Sequence, residues 1–517
     1  MASPREKLAE SLDALQKLQN ENVAAIKAKD LSRTHKERLI ASGFLREVMK
    51  GWYIQARPDE QKGDSTAWYS SYWRFCGTYL SERFGKNWSL SPEQSLLAHS
   101  GNWSVPQQLI IRSPRARNKI TSLPHGTSLF DVRALLPKLN EREKINDLRI
   151  FSLPSALILS PHIIFTSNPI DCRIVLSMVR DSSDILAKLL EGGHSVVAGR
   201  LAGAFRNIGR DRIADDIVNT MQRAGYEIRE NDPFAASLKF PGTGRQVSPY
   251  VNRIRMMWLS MREVVIAKFP KAPGLPKNIK AFLKDIQEIY TTDAYHSLSI
   301  EGYRVTRELI ERVRSGTWNP DKNDKERQEK NALAARGYYQ AYQAVIKSLE
   351  KILKGANPGQ VVDREHGTWY RELFEPSARV GLINLSDLAG YRNGPVYIRG
   401  SKHVPLNRDA VRDAMPELFD LLQEEKNPAV RVVLGHFIFV YIHPYMDGNG
   451  RIGRFLMNAL LVAGGYPWTV VPLNDRTSYM EALEQASVNQ NIEPFTIFIA
   501  GLVTNRLKGR PLPPIPT

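Results

Sequence analysis

The sequence predicts a mainly α, multidomain protein. An all-helical C-terminal core carries one β-hairpin, and it follows an N-terminal winged helix and an α+β middle domain. Three observations predict this. Residues 430–442 are almost all apolar, too dense for a surface helix, and residues 451–463 repeat Ile452, Phe455, Leu456, Leu460 and Leu461 at helical spacing. Between them lies a polar, glycine-rich loop, His443-Pro444-Tyr445-Met446-Asp447-Gly448-Asn449-Gly450-Arg451-Ile452-Gly453-Arg454. The length of 517 residues is enough for two to four domains.

Composition narrows the function classes. Apolar residues at 42% and charged residues at 24% are those of a soluble globular protein. No apolar run is long enough to span a membrane, and residues 1–7 lead into a charged helical pattern rather than a signal peptide. Two cysteines, Cys76 and Cys172, are too few for a disulfide framework or a thiolate metal cluster, so buried thiols and a cytoplasmic location are expected. The net charge of +17 suits nucleic acid, nucleotides or acidic partners. It is spread along the chain, so it singles out no DNA-binding domain.

Residues 1–58 read as three helices and a hairpin. Leu8, Leu12, Leu15 and Leu18 lie along one side of a helix over 4–21, and Val23 to Ile26 form a short second helix. Ser32 caps a third helix, Arg33 to Ala41, stopped by Gly43. Phe44 to Ile54 alternates like a hairpin. That order is a winged helix-turn-helix with Arg33, Thr34, His35, Lys36 and Arg38 on the recognition helix, which makes DNA a candidate partner. A small helical protein-interaction module is the alternative.

Residues 59–235 form the middle domain. Trp68, Tyr69, Tyr72, Trp73, Phe75 and Tyr79 fit a helix over 64–84 packed on a core. Leu109 to Ile111 and Ile163 to Phe165 read as strands, and 185–206 and 211–224 as helices. No catalytic constellation appears. The run Gly43-Phe44-Leu45-Arg46 to Gly51-Trp52-Tyr53, with the segment after it, resembles AbiEi-like antitoxins, which act as transcriptional repressors. Turns at Asn231-Asp232-Pro233 and Pro241-Gly242-Thr243-Gly244 mark a boundary.

Residues 245–505 are helical again, over 250–268, 277–290 and 331–353, with a charged loop at 316–330. Val396 to Pro405 alternates around Gly400 and reads as a hairpin. Asn427 is an N-cap with Pro428 at the first helical position of the apolar helix, and Gly464-Gly465 stops the next. Residues 506–517 are a proline-rich tail, extended as polyproline II.

The loop itself carries chemistry. Glycines at 448 and 450 let successive N–H groups turn inward as an anion nest, which opens into a helix N-terminus. Arg451 and Arg454 stand on one face of that helix. Asp447 is a hard oxygen ligand suited to Mg²⁺, and His443 is the group that titrates near neutrality. Anion cradle, metal ligand, two cations and a base together describe phosphoryl-type transfer.

This loop resembles the Fic family signature, His-x-Phe-x-(Asp/Glu)-Gly-Asn-Gly-Arg-x-x-Arg, with Tyr445 in place of Phe. The resemblance implies transfer of AMP from ATP to a Ser, Thr or Tyr hydroxyl of a target protein. It makes His443 the general base, puts Mg²⁺ on Asp447 and lays the phosphates against Gly448, Asn449 and Gly450, with Arg451 and Arg454 neutralising them. The nucleotide site then runs through Ile452 and Gly453 and extends to Tyr479 and Met480 on the adenine side. Ser297-Leu298-Ser299-Ile300-Glu301-Gly302 resembles the family's inhibitory motif, in which Glu301 competes with the γ-phosphate for Arg454. Arg399, Gly400, Ser401, Lys402 and His403 resemble the flap that clamps the target by strand addition. The resemblance leaves room for removal of AMP, transfer of another phosphate-containing moiety, or a DNA-binding regulator whose Fic half senses nucleotide. A second copy of the chain is a further candidate partner.

Overall fold

The computed structural model describes residues 3–20, 25–58, 64–234, 248–318 and 330–516. The chain divides into one unit of residues 1–249 with 397–404 and a second of residues 250–396 with 405–517. Val23 and Ala24, the turn at 241–244 and residues 319–329 of the charged loop lie outside the described residues.

The first unit opens on the helices Pro4–Asn20 and Arg33–Ala41, the latter capped by Ser32 Oγ, which accepts the His35 N–H at 3.2 Å. The hairpin Leu45–Met49 and Trp52–Gln55 follows, with Glu47 opposite Tyr53. The short helix expected at Val23 to Ile26 is not what Ile26 joins: Ile26–Lys27 is a strand paired with Trp52–Gln55, whose edge it satisfies. Two helices are thus described where three were expected. Two of the expected recognition residues turn toward the first helix. His35 Nδ1 lies 2.9 Å from Ser11 Oγ, and Arg38 donates to the Lys7 carbonyl at 3.2 Å.

The aromatic run is a helix, Thr66–Phe84, in which Trp68, Tyr72 and Phe75 are fully buried. Trp68 meets both other rings edge-to-face, so these aromatics form a core rather than a ligand cage. Gln108–Ser113 runs parallel to Ser128–Arg133 within a four-stranded sheet. The strand expected at 163–165 is helical instead, Ile164–Ser167, because a three-residue apolar run has no period to read. The helix expected over 185–206 is two, Ser183–Gly192 and Ser195–Asn207, broken where Gly193 adopts a left-handed φ of 62°. Cys76 and Cys172 are buried free thiols, pushed up in pKa chiefly by burial.

Residues 397–404 belong with this first unit. The turn at Gly400 forms, with the Ser401 N–H donating to the Ile398 carbonyl at 3.1 Å. The hairpin does not, since no strand flanks the turn. The Lys402 carbonyl accepts from the Val105 N–H at 2.9 Å, and Arg399 Nε lies 2.9 Å from Asp64 Oδ2. Alternation makes a segment extended, but tertiary context chooses what it pairs with.

Every described strand lies before residue 152, so the described second unit is built of helices. The helices Lys330–Leu353 and Pro358–Arg379 lie so close at Gly337 that a Cβ there would sit 2.0 Å from the Leu373 carbonyl oxygen. Backbone cannot yield as a side chain can. Gly337→Ala is expected to lower stability by about 1–3 kcal/mol or more, read as a fall in the urea midpoint. An unchanged midpoint would mean that the two helices are not in contact there. The apolar helix is Pro428–Ile442, with Asn427 Oδ1 accepting the Ala429 and Val430 N–H groups at 3.0 and 3.3 Å. The next is Asn449–Ala463, almost wholly buried. Among the described residues no helix is long and apolar enough to cross a membrane, and no three His, Cys, Asp or Glu side chains gather as a metal cluster.

Candidate active site

The site lies in the second unit, where the two buried helices meet. The first ends on His443, held left-handed at φ 55° and ψ 62°. A non-glycine residue in that region needs support. Arg392, 3% exposed, supplies it: its Nε donates to the His443 carbonyl at 2.7 Å, and its other nitrogens to the carbonyls of Gly394 and Leu406. The His443 Nδ1–H donates to the Val440 carbonyl at 3.1 Å, which leaves Nε2 to take a proton. Burial holds the imidazole pKa down to about 4, only partly offset by the Val440 bond. It is therefore neutral at pH 7, the form a base requires.

The loop is shaped from within. Tyr445 is 1% exposed and stacks on Tyr370 with ring centres 3.8 Å apart. Asn449 closes the turn on itself: its Oδ1 accepts the Tyr445 N–H and its Nδ2 donates to the Tyr445 carbonyl, each at 2.8 Å. These two bonds hold the Asn449 side chain against the loop backbone. Gly448 has φ 79°, and a Cβ on it would lie 2.7 Å from the Phe374 ring. Asp447 is exposed, with Oδ1 accepting the Gly448 N–H at 2.6 Å and Oδ2 lying 3.2 Å from Arg451 Nη2.

Both loop arginines are buried, Arg451 at 1% and Arg454 at 4% exposure. The Arg451 guanidinium lies between the rings of Tyr303 and Phe374, 5.1 and 4.9 Å from their centres. Arg454 donates from Nε to Ser297 Oγ at 2.9 Å, and from Nη2 to the Ser297 carbonyl at 2.9 Å and Glu301 Oε1 at 2.8 Å. Ser297 is in the last turn of helix Ile279–Ile300, and Glu301 is its C-cap. Burial opposes the Arg454 charge, but Glu301 outweighs it and raises the pKa. Even so, Arg451 Nε and Arg454 Nη1 are buried with no hydrogen-bond partner. Two orphaned cationic nitrogens beside a glycine turn are what an anion would satisfy. Glu301 already leans into that seat: a Cβ on Gly450 would meet its Oε1 at 2.2 Å.

The structure thus brings His443, Asp447, Gly448, Gly450, Arg451 and Arg454 together with Ser297 and Glu301. Other expected residues stand differently. Ile452 is fully buried, and Gly453 faces His436 and Val440 in the helix packing, so neither faces an open nucleotide site. Tyr479 is 1% exposed with its hydroxyl 2.7 Å from His436 Nε2. Met480, its neighbour, is half-buried. Arg399 to His403 belong to the other unit. Arg392, Tyr303, Phe374 and His436 were missed by sequence reasoning. Each is a common residue type outside any spaced motif, and nothing local marks it.

Residues 365–461 match the model of the Fic/DOC family. Protein adenylyltransferase Fic of Nematostella vectensis is 28% identical over 253 residues, 48% of this chain and 55% of that protein. Its counterpart in Drosophila willistoni is 29% identical over 221 residues, 41% of this chain and 40% of that protein. A solved Fic-1 fragment from C. elegans is 17% identical, covering 69% of this chain and 90% of that one with a TM-score of 0.37. The chain spans about half the length of the curated relatives it matches.

Proposed function

We propose that this chain is a protein adenylyltransferase that moves AMP from ATP to a hydroxyl of a target protein and is held off by Glu301. The observation that carries the reading is a carboxylate of the chain itself at an anion seat, 2.8 Å from a buried arginine that keeps one nitrogen unpartnered. A triphosphate offers that arginine more charge than Glu301 does. Arg451 and Arg454 would neutralise the β and γ phosphates, and the first N–H groups of helix Asn449–Ala463 would face them. His443, neutral and with Nε2 bare, would take the proton of the incoming hydroxyl as its oxygen attacks the α phosphorus and pyrophosphate leaves. The exposed Asp447 carboxylate suits Mg²⁺, which takes one or two carboxylates and is otherwise held by phosphate and water. When bound it would supply neutralising charge at the leaving pyrophosphate. The names of the matched relatives, both protein adenylyltransferases, support the same donor.

The test is intact mass. Protein carrying Glu301→Gly is incubated with Mg-ATP, Mg-GTP or Mg-UTP and weighed. One AMP mass from ATP, absent when His443→Ala is added, is the expected result. No adduct from any of the three, with ATP still binding, overturns the reading.

A further inference from the structure

We propose that His436 and Tyr479 are positioning residues that keep the Arg454 guanidinium aimed at the anion seat once Glu301 has left it. This rests on the reading of Arg454 as a phosphate-binding cation. Three hydrogen bonds that Arg454 donates go to one element, the Ser297–Glu301 end of helix Ile279–Ile300. If that end withdraws so that a nucleotide can enter, Arg454 loses all three together. A long side chain left alone regains rotamer freedom, and a cation that must be reordered binds its anion more weakly. Something outside the inhibitory helix has to hold it.

The geometry supplies a chain of contacts. His436 is fully buried on helix Pro428–Ile442, and its Nδ1 lies 2.7 Å from the Gly453 carbonyl oxygen. A carbonyl only accepts, so Nδ1 carries the hydrogen. Burial lowers this imidazole's pKa to about 4, so at neutral pH Nε2 is bare. The Tyr479 hydroxyl, 2.7 Å from Nε2, must therefore donate to it. That donation fixes the hydroxyl and leaves its oxygen as an acceptor beside the Arg454 guanidinium. Burial pushes the Tyr479 hydroxyl up to about 12, with Arg454 pulling it back, so it keeps the proton it donates. The relay starts at Gly453, the residue before Arg454, and returns to Arg454 from helix Arg476–Val488, whose bond to the inhibitory helix, Arg476 Nε to the Ile300 carbonyl at 2.8 Å, lies outside the relay. Phe495 stacks on His436 with centres 5.6 Å apart, which stiffens the relay.

The opposing view is that these are ordinary core hydrogen bonds. It predicts a lower melting temperature for Tyr479→Phe and nothing else. The relay predicts a split. In protein already carrying Glu301→Gly, adding Tyr479→Phe should weaken ATP binding and raise the KM for ATP, each about tenfold, with kcat within about twofold. His436→Asn keeps a donor for Gly453 but removes the acceptor for Tyr479, and should reproduce the loss. His436→Gln offers Tyr479 an amide oxygen and should restore most of it. These variants also serve if Tyr479→Phe does not fold. ATP dissociation constants are measured by calorimetry, which needs no turnover. An unchanged dissociation constant and KM in a folded double variant overturns the relay and leaves the transferase reading standing. A tenfold weaker dissociation constant without any AMP adduct leaves the relay standing and overturns the transferase reading.

Discussion

Replacing Glu301 by glycine is expected to raise the initial rate of AMP incorporation about 10- to 100-fold. The proposed brake is one charge-assisted bond, Arg454 Nη2 to Glu301 Oε1 at 2.8 Å, with the Glu301 side chain 26% exposed and the arginine almost fully buried. Bonds to charged groups are worth about 1.5–3 kcal/mol, and each 1.4 kcal/mol is tenfold in an equilibrium. Because the carboxylate must yield before a γ phosphate can reach Arg454, that free energy appears as suppressed ATP binding. Glycine removes the carboxylate and also leaves the Arg454 charge uncompensated in a buried site, so anion binding should tighten. Glu301→Gln separates the two effects. The amide keeps the size and a weaker bond, so an intermediate rate is expected. Radiolabelled ATP and the chain itself as acceptor suffice to read all three proteins. A Glu301→Gly rate within twofold of the parent would remove Glu301 as the brake.

The parts of this molecule that were legible in the sequence are those fixed by local chemistry. Asn427-Pro428 announces a helix start because the Asn427 side chain serves the N–H groups of 429 and 430, all within three residues. The stop at Gly464-Gly465 is equally local, with Gly465 at φ 78°. The grip on Arg454 was not legible from spacing, since 153 residues separate it from Glu301. It could be expected only through the resemblance to the Fic family. What stayed hidden depended on tertiary partners. The alternation of 396–405 gave an extended segment but not its neighbours, so a hairpin was expected where Lys402 pairs with Val105. Tyr479 was expected at the base only through the resemblance to the Fic family. Only the fold puts His436 against its hydroxyl. Arg392 carries no sequence signal, yet without its bond to the His443 carbonyl the left-handed turn that presents the imidazole would be unsupported.

Removing that imidazole should be the largest single loss. In protein carrying Glu301→Gly, adding His443→Ala is expected to cut transfer about 10²- to 10⁴-fold, the range for loss of a positioned base. ATP binding should change little, because the cations proposed to face the phosphates are Arg451 and Arg454, and the bonds they donate go to Asp447, Ser297 and Glu301 rather than to His443. The pH profile carries a sharper signature. An exposed histidine titrates near 6.5, and a base of that kind would lose half its neutral form there. Burial holds His443 down to about 4. A lowered pKa means the neutral, proton-accepting form dominates at every pH above that value and is lost only as pH falls through it. The rate should therefore be flat from pH 8 down to about 5, with the acid limb below. A limb centred near 6.5 in the Glu301→Gly protein would show that His443 is exposed to solvent in the working enzyme and that the loop opens more widely than His443 is held here. A His443→Ala rate equal to its parent's would remove the imidazole from the chemistry altogether.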